Sequence, residues 1–131
     1  MMRGTCELRL TRYYGAAPED VWAALTEPDS LARWLAAPVE IELRSGGAFR
    51  LRLAEGETMD GRVRSVDPPR TLEVDWRRGA EEPSIIRFEL SSDGAGTVLV
   101  LDHRRIEAKM GMRYAAIWER RLHELDSVVA Q

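Results

Sequence analysis

Two histidines, one cysteine and a scatter of indoles and phenols are the side chains here whose types and spacing bear most on chemistry near neutral pH. His103 follows Leu99 and Leu101 at two-residue steps. A strand would therefore carry all three to one face and aim an imidazole into an apolar interior. An imidazole placed there needs a hydrogen-bonding partner or a lowered proton affinity. It is the one inward general acid or base that the strand parities supply, with the Tyr114 hydroxyl as a possible assistant. The competing reading is a core histidine bonded to backbone. Asp102 beside it resembles half of a catalytic dyad, yet successive strand residues point to opposite faces, so the two cannot act together.

The remaining candidates read as structure. His123 stands near Glu119 and beside Glu124 in a charge-rich helical stretch, as part of a solvated face. Cys6 is the only cysteine, which excludes an internal disulfide and any multi-cysteine metal site, and with no histidine near it in sequence it reads as a packed thiol. Two histidines and no inward acidic pair leave neither ligands for a metal nor acids for a two-carboxylate mechanism. Gly46-Gly47 joins two strand-like runs and precedes no helix, so it forms a hairpin turn rather than a phosphate loop. No cofactor is implied, and no catalytic residue is assigned beyond His103 and Tyr114 in the event of enzymatic activity.

The elements that must position these groups follow from periodicity. Cys6 to Tyr14 alternates as a half-buried strand. Pro18 opens a short helix to about Thr26, with Glu19 and Asp20 in its first turn, and Asp29 or Ser30 caps a second over Leu31 to Leu35. Strands follow at Val39 to Leu43, Ala48 to Leu53, Met59 to Val66, around Leu72, Val74 and Trp76, at Ser84 to Leu90 and at Thr97 to His103. Met110 to Val129 repeats Tyr114, Ile117, Trp118, Leu122, Leu125 and Val129 at three- and four-residue steps, an amphipathic helix about 30 Å long. The sum is one α+β domain: a strongly twisted antiparallel sheet of about seven strands curling over one long C-terminal helix. Leu51, Val63, Val74, Phe88 and Leu101 share the concave face by parity.

Bulk properties agree with a single folded unit. A chain of 131 residues buries about two-thirds of its unfolded surface, and 44% hydrophobic with 31% charged residues is an ordinary globular balance. Net charge is -3, from 22 acidic and 19 basic residues interspersed, which supplies no basic face for nucleic acid. No signal-like start and no run of ~20 apolar residues is present, so the expected location is cytoplasmic, with no membrane partner.

Ala17-Pro18-Glu19-Asp20-Val21-Trp22, Leu31-Ala32-Arg33-Trp34-Leu35, Gly46-Gly47-Ala48-Phe49, Gly61-Arg62-Val63 with Val66-Asp67-Pro68-Pro69, Gly96-Thr97-Val98-Leu99, and Trp118 occur in that order. The pattern resembles the START-like superfamily (SRPBCC, Bet v 1-like, helix-grip). More narrowly it resembles the branch of bacterial homologues of the activator of the ninety-kilodalton heat-shock-protein ATPase. These motifs are helix starts, turns and core anchors, so the resemblance speaks to fold before function. It implies a cavity between sheet and last helix that takes a small hydrophobic or amphipathic ligand such as a lipid or an aromatic molecule. The inward aromatics fit such a lining: Trp34, Met59, Trp76, Phe88, His103, Tyr114 and Trp118, with the short helices near Trp34 at its entrance. Each ring taken alone reads first as a core residue.

Two departures limit what carries over. The co-chaperone that names the branch has an additional N-terminal domain not expected here, so ATPase activation is not transferred. Ile117 stands before Trp118 where many relatives have glycine, and its side chain fills part of any cavity. Three readings stay open: a ligand-binding protein, a chaperone-associated or partner-regulating module linked to stress response, and a cyclase- or hydrolase-like enzyme acting on aromatic or polyketide-like substrates.

Overall fold

The computed structural model describes residues 4–53 and 56–130. Strand β1 (Thr5–Tyr14) leads into helices α1 (Pro18–Thr26) and α2 (Pro28–Trp34). Six strands follow: β2 (Ala37–Ile41), β3 (Ala48–Arg52), β4 (Thr58–Asp67), β5 (Thr71–Arg78), β6 (Ser84–Asp93) and β7 (Gly96–Glu107). A 3₁₀ turn (Ala108–Met110) then enters the long helix α3 (Gly111–Val129). The strands form one curved antiparallel sheet in the order β1-β7-β6-β5-β4-β3-β2. The long helix closes its concave side, giving the expected helix-grip architecture.

Among the local boundaries that differ from the sequence reading, three have a clear physical reason. Helix α2 begins at Pro28 rather than after Asp29 or Ser30, because a proline at the first helical position lacks only an N–H that would have been unpaired anyway. Strand β2 starts two residues earlier, at Ala37, and carries Pro38, which a sheet tolerates because β2 is an edge. Strand β7 runs four residues beyond His103 and contains a bulge. Cys6 pairs with Ile106 and Leu8 with His103, so β7 spends one residue more than β1 across the same interval, and Arg105 within it has φ 63°. The extra residue restores parity, so that both His103 and Ile106 are buried while Arg105 faces water.

The concave face is apolar apart from a few buried polar side chains, His103 and Ser84 among them. Leu51, Val63, Val74, Phe88 and Leu101 are all buried, as their common parity requires, and so are Tyr114, Trp118, Leu122 and Leu125 from α3. Burying side chains of this size stabilises by about 1.5 to 3 kcal/mol each. Two polar ties fix the helix to β1: the Tyr14 hydroxyl donates to the Leu122 carbonyl at 2.7 Å, and Arg12 pairs with Glu119. Trp34 links the short helices by donating its indole N–H to the Ala24 carbonyl at 2.7 Å.

The convex face carries charge in rows. Glu40, Arg50, Asp60 and Arg77 stand opposite one another across β2 to β5, and Glu73, Arg87, Asp102 and Arg9 across β5, β6, β7 and β1. Alternating signs make neighbours attractive, as in Arg50 to Asp60 at 2.8 Å and Arg9 to Asp102 at 2.7 Å. Each exposed pair is worth about 0 to 1 kcal/mol, so the rows keep the outer face wet and set register more than they stabilise. His123 is exposed, in keeping with a solvated face of α3.

Candidate functional site

Six of the seven residues singled out in the sequence form a continuous train of rings through the interior. Trp34 meets Phe88 edge-on with centroids 6.4 Å apart, Phe88 meets Trp118 at 6.2 Å, and Trp118 meets Trp76 at 5.6 Å. His103 packs against Trp76 at 6.3 Å and against Tyr114 at 4.6 Å. These are contact distances for aromatic pairs, so the rings occupy the space between themselves. Met59, the seventh, is buried in the same core. The structure therefore brings the set together as a packed ring wall.

Hydrogen bonds fix the chemistry of that wall. Trp118 donates its indole N–H to Nδ1 of His103 at 3.0 Å, and an indole nitrogen has no lone pair to offer in return. Nδ1 is therefore the unprotonated nitrogen, and Nε2 carries the ring proton toward Ser84 Oγ, 2.7 Å away. Ser84 then directs its own hydroxyl to the Trp76 carbonyl at 3.2 Å. Burial holds the imidazole neutral, with its pKa lowered to about 3. Because Nε2 is a donor here, His103 cannot take the proton of Ser84, and the pair is not an activated nucleophile.

A second chain runs toward the surface. The Trp76 indole N–H donates to the Tyr114 oxygen at 3.0 Å, and the Tyr114 hydroxyl donates to the carboxylate of Glu81. Burial raises the phenol's pKa, with the Glu81 bond adding to it. Among the described residues no buried side-chain nitrogen or oxygen lacks a partner, as expected where desolvation makes an unpaired group costly.

Of the ring wall, Tyr114 borders an opening. A crevice too narrow for a water molecule is lined by Glu81, Ser84, Ile106, Met110 and Tyr114 together with Glu82 and Glu107. Glu82 and Glu107 also border an open groove of about 1000 Å³ that includes Pro83, Arg105 and Lys109. The Glu82 N–H donates to Glu107 Oε1 at 3.0 Å and forms the bar between groove and crevice. Trp34 is fully buried, and its indole N–H is bonded to the Ala24 carbonyl of α1. Ser84 and Glu81 were missed. Ser84 shares the parity of Ile86, Phe88 and Leu90, which would have found it, whereas Glu81 lies in a connecting segment where no period applies. No group of three or more metal-ligating side chains occurs among the described residues, and no helix there is long and apolar enough to cross a membrane.

A curved antiparallel sheet gripping one long helix, with an aromatic interior, defines the START-like class. The chain belongs to the family described as Activator of Hsp90 ATPase homolog 1-like protein, which matches residues 15–130. Among solved structures it is similar to CalU16 from Micromonospora echinospora, at 28% identity and TM-score 0.84 over 98% of this chain and 85% of that one. MLL2253 from Mesorhizobium loti shares the fold at 22% identity and TM-score 0.86, over 95% of this chain and 97% of that one. DynU16, described as a protein in the dynemicin biosynthetic locus, shares it at 20% identity and TM-score 0.87, over 95% of this chain and 47% of that one. No match was found among curated proteins.

Proposed function

We propose that this protein binds a small amphipathic molecule between the sheet and α3, entering at the end where the groove beside Arg105 and Lys109 meets the crevice at Tyr114. Tyr114, His103, Trp76 and Trp118 form the near wall of the site. Phe88, Met59 and Trp34 lie in the interior beyond, reached when the rings separate.

The observation that supports this reading most directly is the pair of hydrogen-bonded chains, Trp118–His103–Ser84 and Trp76–Tyr114–Glu81. Buried polar groups, even fully paired, rarely stabilise a core better than apolar side chains of the same volume. Here they converge on the crevice, where Ser84 and Tyr114 form its lining. Apolar walls with a few fixed polar groups are the composition of small-molecule sites, the walls giving affinity and the polar groups orientation.

A ligand that binds only the folded state raises the melting temperature by mass action, by about 2.7 kcal/mol of added stability at a hundredfold excess over Kd. The test is a thermal-shift screen of fatty acids, flavonoids and fused-ring aromatics, followed by NMR titration of the indole N–H signals. Stabilising compounds that move the Trp76 and Trp118 signals, and lose their effect in Trp118→Ala, are expected. A screen in which nothing stabilises the protein and no indole signal moves would refute the proposal.

A further inference from the structure

Tyr114 is a compelled donor. Its oxygen accepts the N–H of Trp76, and an indole nitrogen can play no other part, so the phenolic proton has to point away from Trp76. What it meets is the carboxylate of Glu81, in the 79–83 segment between β5 and β6. The backbone there turns through Gly79 at φ 57° and through a Glu81 N–H to Arg78 carbonyl bond of 3.0 Å, outside the sheet ladder. A half-buried side chain on a connecting segment therefore supplies the acceptor that the core demands. Arg78, at the end of β5, is the cation whose charge acts on both Tyr114 and Glu81, and it holds Glu57 at 2.8 Å.

We propose that Glu81 occupies the seat of a ligand carboxylate, so that the molecule taken by this site is a small amphipathic acid. Its carboxylate replaces Glu81 as the acceptor for Tyr114, and its apolar body lies along Ile106, Met110 and the rings behind them. The inference rests on the binding function proposed above and adds the ligand's class. The exchange swaps one charge-assisted hydrogen bond for another and keeps the charge beside Arg78 constant. A neutral alcohol can offer its hydroxyl oxygen to Tyr114, but it replaces a charge-assisted hydrogen bond with a neutral one of about half the strength.

Two matched pairs test it by calorimetric titration of the full chain: 2-naphthoic acid against 2-naphthalenemethanol, and decanoic acid against decanol. On the wild type the acid of at least one pair should bind about tenfold tighter than its alcohol, the value of one hydrogen bond to a charged group. Glu81→Ala removes the internal competitor, so acid affinity should rise about tenfold further while the alcohol stays within a factor of about three. Tyr114→Phe, checked for folding by circular dichroism, should erase the preference for the acid. Equal binding of acid and alcohol, or an acid affinity unmoved by Glu81→Ala, overturns the stand-in role of Glu81 and leaves the binding site standing. Failure of all four compounds on every folded variant overturns both proposals.

Discussion

Trp118 and His103 are joined by one hydrogen bond of 3.0 Å that decides which nitrogen of the buried imidazole carries the proton. The donor lies on α3 and the acceptor on β7, so helix and sheet are registered by a contact that works only while the imidazole is neutral. Protonation would set two donors against each other.

The first consequence is a pH dependence of stability. His103 is neutral in the folded protein down to about pH 3, whereas the unfolded chain takes up that proton near pH 6.5. Between those values the unfolded state binds more protons, so stability is full above about 6.5 and falls as pH drops, by up to about 1.4 kcal/mol per unit. Urea unfolding from pH 7 to 5 should show this slope in the wild type. His103→Gln should flatten it.

Trp118→Phe keeps an aromatic ring but removes the N–H together with part of the indole, leaving Nδ1 of His103 buried without a donor and a small cavity beside it. The unsatisfied buried nitrogen alone should cost about 1 to 3 kcal/mol, and the cavity adds to that loss. Denaturant midpoints read it directly, and a variant as stable as wild type would show that the bond is not needed.

Ser84 looks like a nucleophile beside a base, but the imposed tautomer makes His103 its donor. A fluorophosphonate probe is therefore expected to leave Ser84 unlabelled, as judged by intact mass. Stoichiometric labelling abolished in Ser84→Ala would mean that the imidazole flips and that hydrolase chemistry is available.

Leu101 sits fully buried on the concave face, on β7 between β1 and β6. Truncation to alanine should cost about 2 to 5 kcal/mol, since the rings around it cannot collapse into the space. Chemical denaturation gives the value, and a loss below about 1 kcal/mol would mean that the core relaxes.

Arg105 holds a left-handed backbone at φ 63°, which costs an L-residue about 1 kcal/mol or more. Arg105→Gly should therefore raise stability by a few tenths to about 1 kcal/mol after allowance for the freer unfolded chain. A drop in melting temperature would instead assign the side chain a stabilising contact.

The sequence by itself determined the architecture. Period-two alternation along the strands, two short helices after the first strand and one long amphipathic helix admit few arrangements, and parity alone put Leu101 and His103 inside and Asp102 outside. It also named the ring residues, because large amphipathic side chains at inward positions have nowhere else to go. It could not show what each polar atom would meet. The partners of His103 come from β6 and α3, those of Tyr114 from β5 and the 79–83 segment, and such pairings depend on where distant elements land to within an ångström. The bulge at Arg105 escaped for a related reason: one extra residue in β7 is visible only against the strand it pairs with, yet it is what keeps His103 and Ile106 on the same face. Whether the rings line a void or fill it was likewise decided by packing, since sequence fixes direction along a strand and tertiary structure fixes distance between faces.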